Sequence, residues 1–241
     1  MASLTALNLA NFKDRRVSAP VVIFDVEGTL VDCVGQTLES WRETLADFGL
    51  NFSIEQLHRF SGMDSGEMLD ALLARSKAIA LKEEILNEQG KRYRDKFLPN
   101  VAAIPGVQPL FARLCKLGCR LALATTCQPD ELGRYGELVG GFELVQAIAC
   151  GADARRGKPH PDLHQIALQR LAVDAGSVIS VGDTPYDAAA AAKAGIDHIV
   201  GTLTGGFAPA ILRDAGCSSV IDTAADVVKF LAPMDVSHQE E

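Results

Sequence analysis

Four stretches of this chain place acids, hydroxyls or a lysine at or just beyond an apolar run. "VVIFDVEGTLVD" at 21–32 carries Asp25 and Glu27, and "LATT" at 123–126 carries Thr125 and Thr126. "RRGKPHPD" at 155–162 carries Lys158, and "VGDTPYD" at 181–187 carries Asp183 and Asp187. These residue types suit phosphoryl transfer, where the main work is offsetting and positioning charge. Asp25 and Asp183 can share one Mg²⁺, a hard cation that takes carboxylate oxygens together with substrate phosphate. Asp25 can then attack phosphorus and form an aspartyl-phosphate. Lys158 would offset the repulsion between Asp25 and an anionic substrate, and Thr125 would donate its hydroxyl to a phosphoryl oxygen. Backbone N–H groups of Val26, Glu27 and Thr126 would cradle the others.

Each feature alone has a plainer explanation. An acid at a strand end is usually a turn or cap residue, and a Gly-Asp-Thr before a helix is an ordinary N-cap. The set gains meaning if the elements bring its members together. "VVIFDV", "CRLALATT", "LVQAIACG", "SVISVGDT" and "DHIVGTLT" read as strands, most of them nearly continuously apolar, as parallel strands covered on both faces are. Helical stretches lie between them, in "GVQPLFARLCKLG", "HPDLHQIALQRLAV" and "TPYDAAAAAKAG". The last has Thr184 as N-cap, Pro185 at the first helical position and Gly195 as a stop. The alanines at 188–192 suit close packing of that helix on the sheet. The alternation predicts an α/β fold, a doubly wound, Rossmann-like parallel sheet whose ligands bind at the carboxyl ends of the strands.

Residues 33 to about 103 break this rhythm and read as all-helical. "GQTLESWRETLADFGL" stops near Gly49, and "SIEQLHRF" opens with the capping-box pair Ser53 and Gln56. "DSGEMLDALLARS" repeats that signal with Asp64 and Glu67, and "KAIALKEEILNEQGKRYRDKF" reads as a long charged helix ending before Pro99. The expected organisation is an N-terminal extension over 1–19, a core of 20–32 and 103–234, a helical cap over 33–102 and a tail over 235–241. Hinge-like segments, "DCVG" and "LPNVAAIPG", bound the cap.

"DVEGTLVD", "LATT", "GKPHPD" and "VGDTPYD", in this order, resemble the four motifs of the haloacid dehalogenase superfamily, and the helical insertion resembles its type 1 cap. The resemblance runs over roughly residues 20–232. It implies that Asp25 is the nucleophile and a Mg²⁺ ligand, with the backbone carbonyl of Glu27 and the carboxylate of Asp183 as further ligands. It implies that Asp187 supports this set from behind, and that Thr125 and Lys158 hold the phosphoryl group.

Glu27 departs from the usual pattern, since phosphatases of the superfamily carry a second aspartate there, in DxDGT, as general acid and base. The carboxyl chemistry is kept. The reach is not, because one extra methylene moves the carboxyl by on the order of 1 Å, a displacement that can cost about 100-fold in rate. Phosphonoacetaldehyde hydrolases of the superfamily use a cap lysine for C–P cleavage, but Ser65 stands near that position and Lys77, Lys82, Lys91 and Lys96 all come later. Sugar-phosphate mutases carry a cap arginine there, where this chain has Ser65 and Gly66. The expected enzyme is a phosphoglycolate-phosphatase-like phosphoric monoester hydrolase acting on a small phosphorylated metabolite, with Ser65 in its cap-side pocket. Those two activities, and a catalytically impaired binding protein, are its alternatives.

The bulk numbers set the remaining expectations. With 23 basic and 31 acidic residues the net charge is −8, so no nucleic-acid surface is expected. No apolar run is long enough to span a membrane, and in the first 19 residues the basic residues come after the apolar stretch, the wrong order for a secretory signal. The six cysteines form no CxxC pair, and Gly118 separates Cys115 from Cys119, so reduced thiols in a cytoplasmic monomer or homodimer are expected. His160 and His164 are four apart but lack partner ligands for a metal.

Overall fold

The computed structural model describes residues 20–73 and 80–231. The expected extension at 1–19, the tail at 235–241 and the start of the long charged helix at 77–79 lie outside the described residues. The chain enters through strand β1 (Val21–Phe24) and the short β2 (Val31–Asp32). Four helices come next, α1 (Val34–Asp47), α2 (Ile54–His58), α3 (Ser65–Leu73) and α4 (Lys82–Arg92). A π-helical turn, Tyr93–Phe97, then leads to β3 (Ala102–Ala103). The rest alternates as α5 (Leu110–Lys116), β4 (Arg120–Ala124), α6 (Pro129–Val139), β5 (Ala147–Ala149) and α7 (Asp162–Leu171). It continues through β6 (Val178–Gly182), α8 (Pro185–Lys193), β7 (His198–Thr202), α9 (Pro209–Asp214) and β8 (Ser219–Ile221).

Strands β1 and β4 to β8 form one parallel sheet in the order β5-β4-β1-β6-β7-β8. The fold is the expected doubly wound α/β sheet. Side chains of β1 alternate between its two faces. Val22 and Phe24 pack with Phe111, Leu114, Tyr135 and Val139 of α5 and α6. Val21 and Ile23 pack with Leu163, Ala167, Ala188 and Ala191 of α7 and α8. Each such buried aliphatic or aromatic side chain contributes about 1.5–3 kcal/mol relative to exposure. The alanines of α8 do let it lie close to the sheet, since Ala188, Ala190 and Ala191 are all buried.

The helical segment between β2 and β3 has its own core of Leu38, Trp41, Leu45, Leu57, Met68, Leu69, Leu73 and Ile85. The Ser53–Gln56 capping box forms as read. The Asp64 carboxylate caps α3, accepting from the N–H groups of Gly66 and Glu67 at 3.0 and 3.1 Å. The base of this segment carries a feature that the sequence did not announce. Its two bounding chains pair as an antiparallel stem, Val31 opposite Ala103 and Asp32 opposite Ala102. The charged helix is also not uniform, because its last turn, from Tyr93, widens to π geometry.

Candidate active site

The register of the central strands assembles the site. Phe24 of β1 lies level with Leu123 of β4 and Val181 of β6. The residues just beyond these strands, Asp25, Thr125 and Asp183, therefore emerge side by side at the carboxyl edge. This is where the chain order reverses about β1, the usual ligand crevice of such sheets. Asp25 is fixed by its own N–H, which donates to the Val181 carbonyl at 2.9 Å. The turn after it is closed by Gly28 N–H to Val31 O at 2.8 Å and by Leu30 N–H to Val26 O at 2.8 Å. Gly28 takes φ +80°, which suits glycine.

Lys158 arrives from the loop after β5 and is 1% exposed. Its ammonium donates to Asp25 Oδ1 and lies 2.6 Å from Asp187 Oδ1. Burial works against its charge, but Asp187 and Asp25 outweigh it and hold the ammonium above its ordinary pKa. Burial pushes the Asp25 carboxyl up to about 6, with Lys158 opposing and Asp187 adding to the rise. Asp187 stands in the first turn of α8, where Thr184 N–H donates to its Oδ2 at 3.0 Å and completes a capping box.

Asp183 is fully buried, and Thr29 Oγ1 donates to its Oδ1 at 2.8 Å. Its Oδ2 has no hydrogen-bond partner. That oxygen rests between Gly28 and Gly205, so close that a Cβ at either would lie 2.2 Å from it. Burial, then the charges of Asp187 and Asp25, hold the Asp183 carboxyl well above its usual pKa. Asp25, Asp183 and Asp187 each offer one oxygen within 4.8 Å of the others. An orphaned buried carboxylate oxygen in an all-oxygen donor set fits a hard divalent cation such as Mg²⁺.

The remaining expected residues take varied places. Thr125 is fully buried, and its Oγ1 accepts from Cys127 N–H at 3.2 Å, so Thr126 rather than Thr125 lines the cavity beside the site. Val26 is buried in the turn, and its N–H, beside the Asp25 carboxyl, slightly opposes the rise in that group's pKa. Ser65 begins α3 and lines the same cavity from the helical segment. His160 pairs with Glu67 at 2.7 Å, and His164 is buried against Ser180 Oγ at 3.0 Å.

The cavity holds about 500 Å³ between sheet and helices, with Asp25, Glu27 and Lys158 on its floor. Its helical wall is mixed, with Trp41, Phe60, Met63 and Tyr93 beside Ser65 and Gly66. Glu27 is half-buried, and burial, then the charges of Glu131 and Asp25, push its carboxyl up to about 8. Tyr135 O–H donates to Glu27 Oε1 at 3.1 Å.

Sequence reasoning missed Glu131, Tyr135, Tyr93 and Arg94. Glu131 and Tyr135 carried a signal, since they lie four apart on one face of α6, whose N-terminus comes just after the "LATT" strand. Tyr93 and Arg94 carried none, because the π-helical turn places them. Arg94 also lines the cavity, and its charge acts on Glu131.

A profile of haloacid dehalogenase-like hydrolases matches residues 22–200. The chain is a haloacid dehalogenase-like hydrolase. Among its relatives in this family it is 30% identical, over 87% of its length and 92% of the relative's, to a probable phosphatase, IndB, of Dickeya dadantii. It is 29% identical to a phosphoglycolate phosphatase of Xanthomonas campestris, over 74% of this chain and 80% of that one. The crystal structure of a hydrolase from Pseudomonas syringae superposes with a TM-score of 0.81 at 26% identity, covering 88% of this chain and 97% of that one.

Proposed function

We propose that this hydrolase cleaves small phosphomonoesters, with Mg²⁺ bound by Asp25, the Glu27 carbonyl and Asp183. The observation that carries the reading is the convergence of Asp25, Lys158 and Asp183 beneath one cavity, with Glu27 beside them. Phosphatase-named relatives support it. The bound ion would neutralise charge on the phosphoryl oxygens. Asp25 attacks phosphorus, the P–O ester bond breaks, and the phosphoryl group rests on the Asp25 carboxylate. Glu27 gives its proton to the leaving alkoxide, then takes one from the water that cleaves the acyl-phosphate. Lys158 holds Asp25 and the phosphoryl oxygens, the N–H groups of Val26 and Thr126 hold the rest, Thr125 donates from beneath the floor the O–H proton that its bond from Cys127 N–H leaves free, and Asp187 keeps Lys158 in place. The helical cap, residues 33–102, covers the cavity and excludes water.

Among the described residues the cavity's lysine is Lys158, already paired with two carboxylates, which disfavours a Schiff-base route to C–P cleavage. Arg94 adds a cation to the wall, which favours a substrate whose far end is also anionic. No helix among the described residues is long and apolar enough to cross a membrane, and all six thiols are free, which suits a reducing compartment such as the cytoplasm. The test is turnover of an alkyl and an aryl phosphate with and without Mg²⁺. Wild-type protein is expected to need Mg²⁺, and Asp25→Asn to be inactive but folded. Undiminished activity in that variant overturns the reading, and ligand binding without turnover points to the binding-protein alternative.

A further inference from the structure

Two tyrosines stand behind Glu27. Tyr135, on α6, is fully buried in the cluster that carries Phe24 and Phe111, and Tyr93, 3% exposed, opens the π-helical turn that leads out of the helical segment. Their hydroxyls are 2.7 Å apart, and Tyr135 O–H donates to Glu27 Oε1 at 3.1 Å. A phenol has one proton to donate. With that of Tyr135 committed to Glu27, Tyr93 must be the donor to Tyr135, and the order is Tyr93 to Tyr135 to Glu27. Both phenols are buried, and burial of a hydroxyl is costly unless it is hydrogen-bonded. Phenylalanine would fill the same space in this apolar cluster with no such cost, so packing alone does not account for either hydroxyl.

The relay also gives three parts of the chain that share one apolar cluster a directional polar link. Glu27 lies just past β1, Tyr135 sits on a helix of the sheet layer, and Tyr93 belongs to the chain returning from the helices that cover the cavity. π-helical turns often mark functional positions. Here the turn aims Tyr93 inward at Tyr135 while the next residue, Arg94, faces the cavity. A carboxyl one methylene longer than aspartate has one more rotatable bond, and needs a fixed partner to be held in a single place.

We propose that Tyr135 is a positioning residue that fixes the Glu27 carboxyl toward the leaving group, and that Tyr93 orients Tyr135 and so ties the acid to the cap's exit segment. This rests on the phosphatase reading of the site. The hydroxyls do not touch substrate. They restrict Glu27 to the orientation from which its proton reaches the ester oxygen, and a loss of about 1 Å in that placement is enough to cost much of the rate.

The experiment compares wild type, Tyr135→Phe and Tyr93→Phe on ethyl phosphate and on p-nitrophenyl phosphate, with Mg²⁺. Ethoxide is a poor leaving group and needs the proton, whereas p-nitrophenolate does not. Read in the first turnover, which reports cleavage of the ester alone, Tyr135→Phe is expected to slow release of ethanol by about 10-fold or more and release of p-nitrophenolate hardly at all. Tyr93→Phe is expected to show the same pattern to a smaller degree. In a Glu27→Gln background, Tyr135→Phe should add no further loss. Equal losses on both esters, no loss on either, or full additivity with Glu27→Gln would overturn the inference. Thermal melting checks folding, and if Tyr135→Phe does not fold, Tyr93→Phe decides by the same criteria. If wild type turns over neither ester, the phosphatase reading fails instead.

Discussion

Asp64 of the helical segment and Lys158 of the site loop are joined through their backbones, Asp64 N–H donating to the Lys158 carbonyl at 2.9 Å. The loop before α3 thus touches the residue that holds Asp25. Gly157 lies beneath this contact, where a Cβ would come within 2.8 Å of Asp64 Cβ and Oδ2. Elsewhere His58 Nε2 lies 2.7 Å from the Gly205 carbonyl, and its ring stacks on Phe207 at 4.5 Å.

From this contact we expect Gly157→Ala to lift the cap loop and slow catalysis by up to about 100-fold, the scale set by an ångström of misplacement. Both kcat and KM should change, as for residues that govern closure. Steady-state kinetics beside a melting curve checks it. Unchanged kinetics would show that this contact does not hold the helical segment in its working place over the site.

Asp183 predicts a trade between stability and metal binding. A buried carboxyl whose pKa is raised on folding favours the unfolded chain once pH exceeds its unfolded value, and the cost grows as pH rises toward the folded one. Asp183→Asn should therefore melt higher than the metal-free parent at pH 8, by about 2–4 °C for each 1 kcal/mol relieved, with a smaller gain at pH 5. Mg²⁺ at 100 times Kd should stabilise the parent by about 2.7 kcal/mol, seen as a higher melting temperature, and leave the variant unmoved. Equal Mg²⁺ stabilisation of both proteins would remove Asp183 from the ligand set.

His164 sets an acid limit. Burial, then the nearby Lys158 charge, lower its pKa to about 3, with Asp187 opposing, and its Nδ1 has no partner. The unfolded chain takes up this proton below about pH 6.5, whereas the folded chain resists it down to about 3. Its contribution is complete above 6.5 and is lost progressively as pH falls through that window. His164→Gln, which can still reach Ser180, should flatten the fall in stability between pH 6.5 and 4. Denaturant titrations at several pH values measure the slope, and an unchanged slope would assign acid sensitivity to other groups.

Much of this site was readable because strands buried on both faces announce themselves as apolar runs, and the residues just past such a run lie at the sheet's carboxyl edge. Asp25, Thr125 and Asp183 needed no more than that. β8 was not readable, because Ser219–Ile221 is too short to show a period, and the stem has two residues on each side. The cavity's far wall was not readable for a different reason. Tyr93, Arg94 and Trp41 reach it through helix packing and a π-helical turn, and neither leaves a trace in spacing.

Arg94 tests substrate class. Among the described basic residues of the same segment, Lys82, Arg92 and Lys96 are held by Asp70, Asp47 and Glu43, whereas Arg94 faces the cavity. Arg94→Gln should raise KM for a phosphomonoester bearing a second carboxylate or phosphate by about 10-fold, the effect of roughly 1.4 kcal/mol, and leave ethyl phosphate unchanged. Equal effects on both substrates would mean that Arg94 shapes the cavity rather than reading the far end.

Glu27 gives the sharpest test, because its length and its partner are linked. Tyr135 O–H reaches Glu27 Oε1 at 3.1 Å, and an aspartate in the same backbone would stop one methylene short of it. Restoring the common aspartate is therefore expected to slow this enzyme, not to improve it, by about 100-fold on ethyl phosphate if the carboxyl retreats by an ångström. Glu27→Gln keeps the reach and removes the titratable proton, so it should lose about 10²- to 10⁴-fold on ethyl phosphate, and the first-turnover release of p-nitrophenolate should fall much less. Mg²⁺ affinity should survive both changes, since the ligand at 27 is the main-chain carbonyl. Steady-state and first-turnover kinetics on both esters, with a Mg²⁺ titration of each variant, decide the matter. A Glu27→Asp protein faster than the parent would show that the site is built for the shorter acid, and a Glu27→Gln protein as fast as the parent on ethyl phosphate would end the acid–base role.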